Sequence, residues 1–183
     1  AKEPELRTAK LERYKKEYEL PDYDAQIITG SKHMADIFEE TTAICKKPKK
    51  VSNWLMGETL RLLKEHEKEP EDIAFSAENL AKLIELVDGG VINGNVAKEV
   101  FEQIFARNID PEKYVEEKGL KTVNDEGALR KTIEQIVADN PKSVEDYHNG
   151  KEKAIGFLVG QTMKAMKGKA DPGMVNKILK EIL

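Results

Sequence analysis

The side chains best suited to chemistry in this 183-residue chain lie near its end. Lys164, Lys167 and Lys169 crowd toward a turn marked by Gly168, and two glycines four apart, Gly156 and Gly160, precede them. Lys164 and Lys167, three apart, share one side of a helix, while the glycines leave backbone bare for a close approach. A following helix that starts at Pro172 adds amide donors and a favourable dipole, and Gln161 and Asn176 add neutral hydrogen-bonding groups. Such a set suits a polyanion, with phosphates for the lysines and sugar or base edges for Gln161 and Asn176. Each helical glycine costs about 1 kcal/mol relative to alanine, so Gly156 and Gly160 ask for a compensating contact, either a neighbouring helix or an RNA backbone. Few aromatic residues interleave with the lysines, which favours recognition of RNA shape over single-strand stacking.

Elsewhere the types and spacings do not assemble a catalytic constellation. Cys45 stands beside the basic run Lys46–Lys50, which could lower its pKa, but an inert thiol at a helix end is the simpler reading. One cysteine forms no internal disulfide, and His33, His66 and His148 are scattered among polar residues without metal-ligand spacing, so each is expected in solvent. Gly89, Gly90 and Gly94 lack the Lys-Ser or Lys-Thr of a phosphate loop and read as a turn between helices. The single tryptophan, Trp54, falls on an apolar helix face and is expected in the core, with a stacking platform as the alternative.

The net charge of −4 is unevenly spread: residues 142–183 carry eight basic and five acidic groups, whereas residues 76–141 carry eight and thirteen. An acidic body with a basic end points one face toward a polyanion, although the excess is modest. No apolar run reaches the length a membrane helix needs, and the first residues do not resemble a signal peptide, so no membrane partner and a cytoplasmic location are expected.

The elements that must position these residues read as helices throughout. Pro4 opens a charged helix ended at Leu20-Pro21. Ser31 caps the next long helix, with Met34, Ala35, Phe38 and Thr42 inward, and Lys46–Lys50 comes next as a loop. Val51, Trp54, Leu55 and Leu62 share a helical stripe, a solvated link leads to the cap Ser76, and two stripes around Gly89-Gly90 read as an antiparallel pair. Asp110-Pro111 and Gly119 bracket a short helix. Asp125 then caps a helix ended at Asn140-Pro141, and a short turn opens at Ser143. A long helix buries Ile155, Val159, Thr162 and Met166, and Asp171-Pro172 starts the last one. The fold class is all-α: a helical body over residues 1–121, whose helix 1–20 could be a connector, then a small compact helical tail domain over 122–183.

Two segments make the chain recognisable. The stretch from Gly156 to Pro172 follows the pattern G-x-x-x-G-Q-x-M-K-x-x-x-G-K-A-D-P, and L-P-D-Y-D-A (Leu20–Ala25) with S-N-W-L-M-G-E (Ser52–Glu58) lies upstream. Together they resemble the C-terminal part of the B subunits of tRNA-dependent amidotransferases, the GatB family. A stand-alone relative, the YqeY protein, shares the glycine-and-lysine end but is not expected to carry S-N-W-L-M-G-E. The resemblance implies a YqeY-like tail touching tRNA(Gln) or tRNA(Asn) near the D-loop. It also implies a parent ligase that uses ATP and Mg²⁺ on Glu-tRNA(Gln) or Asp-tRNA(Asn), with the amidase (A) and small (C) subunits of the amidotransferase as partners. For this fragment it implies no cofactor, no metal and no catalytic residue. The remaining readings are a protein-interaction module, a stand-alone YqeY-like protein and, last, a small enzyme using Cys45.

Overall fold

In the computed structural model, which describes residues 5–122 and 126–183, helices account for the regular structure and no strand occurs among the described residues. The chain is all-α. Contacts divide it into one unit of Ala1–Gly89 with Ala97–Lys118 and a second of Gly90–Val96 with Gly119–Leu183.

The first unit opens with α1 (Arg7–Glu17), α2 (Asp22–Thr29) and α3 (Lys32–Cys45). The start expected at Pro4 lies outside the described residues. α3 begins where expected, because the Ser31 hydroxyl accepts from the Met34 amide at 3.2 Å. Its buried face includes Met34, Ala35, Phe38 and Thr42, and Phe38 meets the Tyr14 ring at 5.0 Å between centroids.

The loop expected over Lys46–Lys50 shrinks to two residues. Lys46 is left-handed at φ 59°, and Pro48, pre-set for a helix and lacking an N–H that would otherwise go unpaired, starts α4 (Pro48–Trp54). The same helical path widens into a π turn at Leu55–Thr59 before α5 (Leu60–Glu65). The Thr59 hydroxyl donates to the Trp54 carbonyl at 3.0 Å, giving that carbonyl a partner where the helical ladder changes register.

The link to Ser76 is exposed through Glu69, contains a short 3₁₀ turn at Pro70–Asp72, and buries Ile73 and Phe75. Ser76 caps α6 (Ala77–Asp88) by accepting from Asn79 N–H. Sequence spacing suggested that α6 pairs with α7 (Gly94–Arg107), but α6 packs most closely on α3. α7 instead presents Phe101 to Trp54 and Phe75, at 5.2 and 5.5 Å between centroids. Asp110 caps α8 (Pro111–Lys118) through Glu112 N–H at 3.0 Å, and Gly119 at φ +60° stops it.

The second unit comprises α9 (Glu126–Asp139), α10 (Pro141–His148), α11 (Lys153–Ala165) and α12 (Pro172–Ile182). The expected cap Asp125 lies outside the described residues. α10 starts at Pro141, two residues before Ser143, for the same reason that α4 starts at Pro48. Leu129, Ile133, Leu158, Ala170, Val175, Ile178 and Leu179 are fully buried together. At about 25 cal/mol per Å² of apolar area, the leucines, isoleucines and valine among them each contribute about 2 kcal/mol.

Candidate nucleic-acid interface

α11 turns Leu158 and Thr162 fully inward, with Ile155, Val159, Met163 and Met166 half-buried beside them. Of the four residues the sequence expects inward, Ile155, Val159, Thr162 and Met166, only Thr162 is fully buried, and Leu158, not among them, is buried as deeply. The Thr162 hydroxyl donates to the Leu158 carbonyl at 2.9 Å, so this buried polar group is satisfied. The opposite face is exposed: Lys153, Gly156, Phe157, Gly160 and Lys164 recur at three- and four-residue spacing along it. A Cβ built on Gly156 or Gly160 meets nothing within 4 Å, so no neighbouring helix among the described residues fills the gap they leave.

The end of α11 differs from expectation. The helix stops at Ala165, and Lys167 and Gly168 both take left-handed backbone, at φ 54° and 74°. Gly168 N–H donates to the Met163 carbonyl at 2.8 Å and Lys167 N–H to the Lys164 carbonyl at 3.1 Å. This pair of bonds is a Schellman motif, with lysine rather than glycine at its first left-handed position. Lys167 therefore stands beyond the helix in the turn and does not share a helical face with Lys164.

Lys169 is half-buried and lies over the bare backbone of Gly119, its Nζ 3.9 Å from where a Cβ there would sit. Gln161 and Asn176 are half-buried without a side-chain hydrogen bond among the described residues, so their amides remain available. The structure thus gathers Gly156, Gly160 and Lys164 on one face, puts Lys167 at its end, and sets Lys169 apart. Asp171 caps α12 by accepting from Gly173 N–H at 2.9 Å, as the sequence anticipates.

One residue that holds this turn escaped sequence reasoning. The Asn93 side-chain amide donates to the carbonyls of Gly168 and Ala170, and its oxygen accepts from Val96 N–H at 2.9 Å. The Asn93-Gly94 pair ahead of an apolar stripe was the available signal for the cap. Its bond to Gly168, 75 residues on, left no local trace.

Charge sets this region apart. No ion pair involves Lys153, Lys164, Lys167 or Lys169 among the described residues, whereas in the first unit Arg61 alone contacts Glu58, Glu65 and Glu102. Unpaired ammonium groups keep their field for an external anion.

The upstream motifs also meet. Ser52 Oγ donates to Asp24 Oδ2 at 3.0 Å, and a cleft of about 290 Å³ between them is lined by Leu20, Pro21, Asp24, Ser52 and Asn53, with Lys49 at its side. Trp54 is half-buried against Phe101 and borders a second cleft of about 220 Å³, so it does not occupy the core as expected.

Cys45 is buried, which shields a thiol from reaction. His33 is half-buried rather than exposed and bonds the Ile73 carbonyl at 2.7 Å, because its helix packs against that link. His66 and His148 are exposed. Among the described residues no three His, Cys, Asp or Glu side chains converge to hold a metal ion, and no helix is long and apolar enough to cross a membrane.

Comparison with known proteins gives a consistent set. The family model described as the GatB domain matches residues 36–183. The chain is 66% identical over its full length to the B subunit of the aspartyl/glutamyl-tRNA(Asn/Gln) amidotransferase of Agathobacter rectalis. It is 63% identical over its full length to the protein of that name from Lachnoclostridium phytofermentans, and 51% identical over 97% of its length to that from Geobacillus kaustophilus. It spans 38% of the length of the first two relatives and 37% of the third.

Proposed function

Because the chain belongs to the GatB domain family, we propose that it is the tRNA-positioning C-terminal part of an aspartyl/glutamyl-tRNA(Asn/Gln) amidotransferase B subunit. In this reading the whole protein converts misacylated Glu-tRNA(Gln) or Asp-tRNA(Asn) to Gln-tRNA(Gln) or Asn-tRNA(Asn). It activates the side-chain carboxylate with ATP and Mg²⁺ and takes ammonia from the amidase (A) subunit, in a complex completed by the small (C) subunit. Those steps fall to parts of the protein that this chain does not span, and none is derived through residues described here.

The observation that carries the reading is the exposed face of α11. Its glycines offer bare backbone within reach of a phosphodiester chain, Lys164 and Lys167 bring uncompensated charge to its end, and Lys169 adds a third cation beyond the turn. Gln161 and Asn176, without a side-chain hydrogen bond among the described residues, offer amides for sugar or base edges. The chain's own contribution is then to hold an RNA corner in register, without touching the reacting atoms.

The test is tRNA binding as a function of salt. Changing Lys164, Lys167 and Lys169 together to alanine lowers the slope of log affinity against log salt by about 2 to 3 units, at roughly 0.7 to 0.9 per phosphate contact. Equal affinity of this variant and the parent at low salt would refute the RNA-facing assignment and favour a protein partner on the glycine face, whose binding would be nearly independent of salt.

A further inference from the structure

Phe157 stands in the middle of the α11 face with 48% of its surface exposed, the one large apolar side chain of the described second unit left so open. Glycines flank it at positions −1 and +3, and neither has an atom within 4 Å of its would-be Cβ. No other ring and no cation lies against the phenyl group among the described residues. The ring therefore rises from a strip of bare backbone, open on the sides where ordinary side chains would crowd it.

Charge frames it at both ends. Lys153 and Lys164 lie on the same face, eleven residues apart, which is about 16 Å along the axis, and neither has an acidic partner among the described residues. A protein helix docking on an exposed phenylalanine gains little from two isolated ammonium groups placed so. A nucleotide strand offers a planar face to the ring and phosphates on either side of it. Bases inside an A-form helix have both faces covered by neighbours, so only an unpaired or helix-end base can present one.

We propose that Phe157 is a stacking platform for one exposed nucleobase of the bound RNA, with Lys153 and Lys164 taking phosphates on either side and Gly156 and Gly160 admitting the base edge-on to the helix. The proposal rests on the RNA-binding reading above and changes its character. Sequence spacing favoured recognition of shape alone, whereas this face reads shape through its lysines and the presence of an unstacked base through one ring. An RNA with an open loop or corner would be selected over plain duplex.

The experiment compares the parent, Phe157→Ala and Phe157→Tyr on two probes, total bacterial tRNA and a blunt RNA duplex of about 20 base pairs, longer than the roughly 16 that a duplex-reading domain spans. Base-aromatic stacking removed by alanine substitution corresponds to roughly a 5- to 20-fold loss at the lower end of its range. The expected result is that loss for tRNA with Phe157→Ala, unchanged duplex affinity, an unchanged salt slope, and near-parental binding by Phe157→Tyr. Parental tRNA affinity for Phe157→Ala, or an equal loss on the duplex, would overturn the stacking role while leaving lysine-dependent binding intact. No tRNA binding by the parent would overturn both this inference and the reading beneath it. Because the side chain is exposed, unchanged circular dichroism is expected for both variants.

Discussion

Asn93 and Gly168 are joined across 75 residues: the Asn93 side-chain amide donates to the Gly168 carbonyl while its oxygen caps the start of α7. One side chain thus serves a helix start and the lysine-bearing turn. Asn93→Ala should lower stability by about 1 to 2 kcal/mol, combining a lost cap with unsatisfied turn carbonyls, as read by urea denaturation. Asn93→Asp keeps the cap oxygen but turns a carboxylate oxygen toward the Gly168 and Ala170 carbonyls, so a loss at least as large is expected. Equal stability of all three proteins would show that the tie contributes nothing.

Gly160 separates stability from binding. Because nothing lies within 4 Å of its would-be Cβ, Gly160→Ala should stabilise α11 by about 1 kcal/mol. Gly160→Leu should fold equally well yet bind tRNA more weakly with little change in salt slope, since bulk rather than charge is altered. A thermal melt beside a salt titration distinguishes the two effects, and undiminished tRNA affinity for Gly160→Leu would remove the approach role.

Trp54→Ala should cost about 2 kcal/mol. A fully buried aromatic would cost about 3 to 5 kcal/mol, but this ring is only half-buried against Phe101. Chemical denaturation measures it, and a loss above about 4 kcal/mol would restore the core role.

Asp110 supplies a pH dependence. The Lys82 ammonium, 3.0 Å from Asp110 Oδ2, holds this carboxyl below its ordinary value of 3.8, aided by the Lys113 and Glu112 amides and opposed by partial burial. A depressed folded pKa contributes stability that is present above the unfolded value and lost as pH falls through the folded one. Asp110→Asn should therefore be less stable than the parent at neutral pH, with the gap closing below pH 3.8. A gap that stays constant from neutral pH down to about pH 2.5 would exclude the linkage.

What the sequence revealed was mostly local. Ser31, Ser76, Asp110 and Asp171 bond neighbouring amides, and apolar spacing marked the faces of α3, α6 and α12. The glycines and lysines of the candidate site were equally legible as types. Their arrangement was not, because the end of α11 depends on two left-handed residues and on a bond from Asn93 far upstream. Phe157 was hidden by ambiguity: on a half-apolar helix, which flank faces water is decided by how α9 and α12 pack beneath it. Trp54 was misjudged because it sits at the flank of the stripe centred on the fully buried Val51 and Leu55, where spacing alone does not decide depth.

That π turn carries a consequence for chain length. Leu55–Thr59 holds one residue more than an unbroken α-helical path would need, so the helix from Pro48 to Glu65 contains a spare position. Deleting Gly57, which is exposed, would let the ladder close while Val51 and Leu62 keep their inward directions. Deleting Arg61, beyond the π turn, would instead rotate the buried Leu62 and Leu63 by about 100°. The tolerance of this helix to shortening is therefore concentrated in the five residues beside Trp54.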